Sequence, residues 1–200
     1  MPTGTILIAA VLGAEPAMSA VMADTTVFVT FTSHIARQVS LDKQAFAQAS
    51  TCLSWFYKAS KTPPPPTAQG ISWSRAAAAQ LEQDCLRRYP GGMDAARDDF
   101  AKTQTLLSVS LTVYEFALVA DYNDDRSYSP AELRDIFHAL SLAYDQADPP
   151  QTTGATLTAR FDQWYQTRKL DDVVQGMSML YERGYRVTVQ DRAELDRIMK

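Results

Sequence analysis

The stretch LSVSLTVYEFALVADYNDDRSYSPAELRDIFHALSL, Leu107 to Leu142, decides the fold class. Its first half is almost wholly apolar up to Ala120. At that length it predicts a buried core helix rather than a membrane span. The middle, Asp121 to Ser129, is polar and acidic. After it, Leu133, Ile136 and Phe137 recur at three- and four-residue steps, the inner face of a second helix. Ser129-Pro130-Ala131-Glu132 predicts the start of that helix: a capping box with proline at the first helical position.

Working outward, the same periodicity fills the chain. Leu41, Phe46, Ala49, Cys52, Leu53, Phe56 and Tyr57 form a helical stripe, with Ser40 as its cap. Trp55, Phe56 and Tyr57 read as core. Pro63 to Pro66 forbid helix and favour an extended connector. Ser72 or Ser74 caps the next helix, Ala76 to Leu86, which Tyr89-Pro90-Gly91-Gly92 stops. A long helix begins near Asp94. Beyond the Asp148-Pro149-Pro150 break, Leu157, Phe161, Trp164 and Tyr165 mark one helix. Leu170 to Leu180 mark another, ended by Gly184. Arg192 to Met199 form the last, with Thr188 and Asp191 as a capping box. The β-branched run TTVFVTFTS, Thr25 to Ser33, reads either as a short strand or as an extended arm. With no βαβ alternation and no short repeat, the class is all-α, a helical bundle.

Upstream, TILIAAVLGA, Thr5 to Ala14, has the length and apolarity of a signal-peptide core, and small residues follow it. Residues 1–23 are expected to be an export signal, with the mature chain starting near Val21 or Asp24. No Lys or Arg precedes Arg37, so a buried N-terminal element or a membrane anchor stays open. The organisation is then one helical domain over 24–200, with a helical hairpin at 40–92 and the acidic-loop region at 94–200. The expected location is exported, periplasmic or secreted, with no membrane span in the mature chain. In such a compartment the even pair Cys52 and Cys85, on consecutive helices, predicts a disulfide; two buried thiols are the alternative.

The totals exclude little else. Net charge is −4 with no basic run, so nucleic acid is not an expected partner. The two histidines, His34 and His138, join no catalytic motif. Glycine-rich phosphate loops, nucleophile elbows and zinc spacings are missing from the sequence. The expectation is a protein that is not an enzyme.

The chemistry lies in Asp121-Tyr122-Asn123-Asp124-Asp125-Arg126-Ser127-Tyr128-Ser129-Pro130-Ala131-Glu132. Oxygen-bearing side chains fall at positions one, three, five, nine and twelve. Calcium takes six to eight oxygens at about 2.3–2.6 Å. Asp121, Asn123 and Asp125 supply an alternating set, Ser127 a backbone carbonyl, Ser129 a hydroxyl or a bridged water, and Glu132 a two-oxygen closure. The alternative is a metal-free acidic turn before a capped helix.

This pattern resembles the EF-hand family over Leu107 to Leu142. The resemblance implies calcium as the bound ion. It also covers Tyr128, at the eighth position, where the family keeps an apolar residue facing a partner loop. Arg126 departs from the family, which has glycine at the sixth position for a sharp turn. A left-handed non-glycine residue there costs on the order of 1 kcal/mol, so the expected affinity is weak, ~10⁻⁴ to 10⁻³ M. EF-hands work in pairs, each loop lending a short strand to the other. Residues 170–199 can be aligned as a degenerate second hand, with Val187, Thr188 and Asp191 matching Tyr128, Ser129 and Glu132. A plain helix–turn–helix is the alternative. What protein partner the chain meets is not legible in the sequence.

Overall fold

The computed structural model describes residues 15–60, 75–140, 152–167 and 170–200; for 15–24, 75 and 170–173 it describes the backbone alone. Seven helices make up these segments: α1 (Glu15–Ala59), α2 (Arg75–Arg88), α3 (Gly92–Val119), α4 (Pro130–Ala139), α5 (Gly154–Thr167), α6 (Leu170–Glu182) and α7 (Val189–Met199). The class is all-α, and among the described residues there is no strand. Thr5 to Ala14, the proline run, Ser72, Ser74 and the Asp148 break lie outside the described residues.

One expectation is corrected at α1. Thr25 to Ser33 is neither strand nor arm, and Ser40 does not cap a helix; both lie inside a single helix of 45 residues. The reason is burial. Phe28, Phe31, Ile35, Val39, Asp42, Phe46, Ala49, Leu53 and Phe56 follow one another at three- and four-residue steps, and all but the half-buried Phe46 are buried. Such a seam, packed on a partner, overrides the β-preference of valine and threonine. The hydroxyls that would break a free helix turn back onto it. Thr32 Oγ1 donates to the Phe28 carbonyl at 2.8 Å, and Ser40 Oγ to that of Ala36 at 3.0 Å.

The partner is α3, which runs antiparallel to α1. The first half of α1 shares a core with the end of α3 (Val109, Val113, Phe116 to Ala120), with Tyr128 and with α4 to α7. The second half meets the start of α3 in a smaller cluster with α2, where Phe46 lies 5.2 Å from Phe100, centroid to centroid. Cys52 and Cys85 are joined there by a disulfide, with their Cα atoms 5.3 Å apart. Phe56 is buried and Trp55 and Tyr57 pack against the cluster, as read.

Two glycines permit close helix contacts. A Cβ on Gly154, at the start of α5, would lie 2.5 Å from the Cβ of Thr30 in α1. One on Gly176, in α6, would collide with the Ala139 carbonyl at the end of α4. Residue Asp42, buried in the α1 seam, accepts from Gln38 Nε2 at 3.1 Å and from the Tyr165 hydroxyl of α5. Lys43 Nζ donates to the carbonyls of Ile198 and Met199 at 3.1 and 2.6 Å, closing the C-terminal end of α7.

Candidate functional site

The acidic loop spans 120–129, between α3 and α4, and its backbone is built from the residues already named. Asp124 and Arg126 adopt left-handed conformations, with φ of 56° and 61°. The turn that glycine would ease is therefore present at position six with arginine in it. α4 starts as expected. Ser129 Oγ accepts from the Glu132 amide at 3.3 Å, and Glu132 Oε2 accepts from the Ser129 amide at 2.7 Å.

Asp121 and Glu132, first and last of the proposed oxygen donors, are 4% and 3% exposed. Asp121 accepts from the amides of Asp125 (3.1 Å) and Arg126 (2.9 Å). Glu132 Oε1 accepts from the Tyr122 amide at 3.1 Å. Asp125 Oδ1 accepts from both the amide and the hydroxyl of Ser127, at 2.9 and 2.7 Å. Asn123 links to Asp125 through its side-chain amide at 2.9 Å, and accepts from the Asp125 amide at 3.2 Å. The loop thus ties the predicted donors into two sets, Asp121, Asn123, Asp125 and Ser127 in one, and Ser129 and Glu132 with the Tyr122 amide in the other. Their side chains face N–H and O–H donors, and among the described residues no three His, Cys, Asp or Glu side chains stand close enough together to hold a metal ion as placed.

Electrostatics sets these carboxylates apart. Among the described residues no basic side chain forms an ion pair with Asp121, Asp125 or Glu132. Burial pushes Asp121 up from 3.8 to about 6; the amides of Arg126 and Asp125 oppose that rise, and the charges of Asp125 and Glu132 add to it. Asp125, in the open part of the loop, is lowered by the Ser127 hydroxyl.

A pH prediction follows from Asp121. Its folded-state value is raised, so the native protein holds this proton more tightly than the unfolded chain. The group's favourable contribution is complete below pH 3.8 and is lost as pH rises from about 4 to about 6. A shift of this size amounts to about 3 kcal/mol. Without added metal ions, Asp121→Asn should remove that part of the pH dependence. Denaturation of both proteins at pH 4 and 7 checks it: a parent-minus-variant difference that is the same at both pH values rules it out.

The Arg126 side chain pairs with Asp124 of its own loop and reaches across to α7. Its guanidinium lies 3.8 Å from Asp124, 3.5 Å from Glu194 and 3.3 Å from Gln190 Oε1, and 5.6 Å from the centre of the Phe28 ring. Nothing in the local sequence pattern pointed to Glu194 or Gln190. Glu194 also accepts from the Tyr114 hydroxyl of α3 at 2.8 Å. Tyr128 is fully buried; its hydroxyl donates to the Ala117 carbonyl, and its ring packs edge-on against Phe28 at 5.1 Å.

The second helix pair, α6 and α7, faces this loop. The Tyr122 and Tyr185 rings meet at 5.6 Å, the Tyr185 hydroxyl donates to Asp135 at 2.7 Å, and Arg183 pairs with Asp135. Its connection, 183–188, is shorter than the acidic loop. Gly184 has φ 98°, its amide bonds to the Tyr181 carbonyl and the Tyr185 amide to that of Leu180, a Schellman stop. The expected cap at Thr188 and Asp191 forms with the same reciprocal pattern as Ser129 and Glu132, and Asp191 is equally buried. Among the described residues no strand forms between Tyr128 and Val187, although 185–188 is non-helical and Thr188 is extended. Val187 packs on the main core instead.

His138 is exposed on α4, and His34 Nε2 lies 2.6 Å from Asp162 Oδ1. Among the described residues no helix is long and apolar enough to cross a membrane. The chain matches no protein-family model, no curated protein and no solved structure.

Proposed function

We propose that this is an exported calcium-binding protein, in which one EF-hand-like loop takes an ion and steadies a pair of helix–loop–helix units, the second having lost its ion site. The observation carrying this reading is the burial of Asp121 and Glu132, hydrogen-bonded to loop amides but without a basic side chain beside them, at the two ends of an oxygen-rich loop. A buried carboxylate without a counter-charge is costly, and a divalent cation is the partner that this donor set fits. Asn123, Asp125 and Ser129 supply further side-chain oxygens and Ser127 its carbonyl. The left-handed turn at Arg126 supports the reading, since it is the turn the loop needs. Binding would require the carboxylates to rotate from the loop's amides toward a common centre. The Cys52–Cys85 disulfide supports an oxidising compartment. The shared capping geometry of the two units supports a degenerate second hand.

The test is calorimetry and thermal melting in calcium. At the weak affinity expected, 10 mM calcium exceeds Kd by roughly 10- to 100-fold, worth about 1.4–2.7 kcal/mol. Melting should rise by about 3–10 °C. Glu132→Gln keeps the cap and removes the bidentate charge, so it should show neither heat nor shift.

A second reading has its own support. Every carboxylate oxygen of Asp121, Asp125 and Glu132 accepts a hydrogen bond from the loop itself. A metal-free interaction or structural protein, with the loop as a capped acidic turn, would look the same. In that case the parent and Glu132→Gln respond identically to calcium.

A further inference from the structure

We propose that the Cys52–Cys85 disulfide is the latch of α2, and that a dithiol reductant releases this helix from α1 while the rest of the bundle stays folded. The burial pattern carries the inference. From Ala76 to Arg88 only Cys85 is buried; Ala78, Leu81 and Asp84 are half-buried, and every other side chain is exposed. A helix of 14 residues is marginal in water unless it packs an apolar face, and the inner face here is Ala78, Leu81 and the cysteine itself. Beside it a groove of about 590 Å³ opens between the two helices, lined by Gln48, Thr51 and Cys52 of α1 and by Leu81, Asp84 and Arg88 of α2. Two polar contacts help at the C-terminal end. Arg88 donates to Gln48 Oε1 at 2.6 Å, in the open, and the Tyr89 hydroxyl, just past the helix, donates to Asp99 at 2.6 Å. Asp84 is engaged by Gln80 and Arg87 of α2 itself. Among the described residues the covalent bond is therefore the strongest hold that α1 has on α2. No described residue of α2 joins the main core. α1 and α3 meet without it, in that core and through Phe46 on Phe100.

The step is a thiol–disulfide exchange. One thiolate of the dithiol bonds to a sulfur of the pair, and the other cysteine leaves as thiolate. The second thiolate then attacks the first, displacing the remaining cysteine and closing the reductant's own disulfide. Two electrons and two protons pass to Cys52 and Cys85, which end as thiols. Without the bond, α2 opens as a local unit of low stability. Cys85, enclosed while the helix is docked, becomes reachable, and the face of α1 that carries Cys52 is uncovered.

The experiment is alkylation of Cys85 by iodoacetamide in the full chain reduced with dithiothreitol, read by mass spectrometry. Local release predicts that Cys85 is protected by less than about a hundredfold relative to the same chain unfolded in urea. It also predicts a rate that stays flat in urea below the unfolding transition, because little surface is exposed on opening. Cys52→Ala, without reductant, should give Cys85 the same reactivity. Protection of about 10³-fold or more, the mark of global unfolding alone, overturns the latch, and so does a rate that climbs with urea from the start. Hydrogen exchange of the α3 amides, residues 104–119, completes the test. They should stay protected in the reduced chain; if they exchange as fast as those of α2, the bond holds the whole domain rather than one helix, and the proposal falls.

Discussion

Replacing Tyr128 by alanine is expected to destabilise the protein by about 4 kcal/mol, the range for deleting a buried aromatic ring. The side chain is wholly enclosed, lies edge-on to Phe28 at 5.1 Å and Phe31 at 6.4 Å, and bonds the Ala117 carbonyl near the end of α3. Tyr128 belongs to the acidic loop, and yet it is planted in the main core. Its loss opens a cavity where α1, α3 and α4 meet and releases the loop at the same time. Tyr128→Phe keeps the ring and should cost only about 1 kcal/mol, one hydrogen bond. Urea denaturation of the two variants measures both effects. An alanine variant within 1 kcal/mol of the parent would show that the ring is not enclosed.

The second large effect is expected at the other end of the bundle. The disulfide closes a separation of 33 residues. The chain-entropy relation assigns such a closure about 4 kcal/mol at 25 °C. Cys52→Ala with Cys85→Ala should therefore lower stability by about that amount, and reduction of the parent should bring it to nearly the same value. The cluster around the bridge is small, with Leu53, Phe56, Tyr89 and Ala96 as its other buried members. It has little apolar area to substitute for the bond. Melting curves with and without reductant test this; identical curves refute it.

These two positions also show what the sequence could express. Tyr128 was marked only through the family resemblance, as an apolar residue facing a partner loop; its ring packs instead on Phe28 and Phe31 of α1, far back in the chain. The bond between Cys52 and Cys85 was legible from pairing and spacing. Helix ends at Pro130, Gly184 and Thr188 carry local chemistry, and they fall where that chemistry puts them. The first helix was harder. Val27, Phe28 and Phe31 look β-forming, and only their distant partners on α3 make helical burial the better outcome. Arg126 was legible as a misfit in its turn, whereas its partners were not: Glu194 and Gln190 are far along the chain and carry no motif. The capping box named one loop amide that holds Glu132, that of Ser129; the amides that hold Asp121 are placed by the left-handed turns at Asp124 and Arg126, which acidic spacing alone does not encode.

The length of α1 has a mechanical meaning. At 1.5 Å per residue its 45 residues extend about 67 Å. Both clusters lie along it, and α3 passes through both from the opposite direction. Neither cluster can melt without fraying a rod that the other also needs, so the two should lose structure as one cooperative unit. Closing the Cys52–Cys85 bond should then raise the stability of the whole unit, the part that carries the acidic loop included.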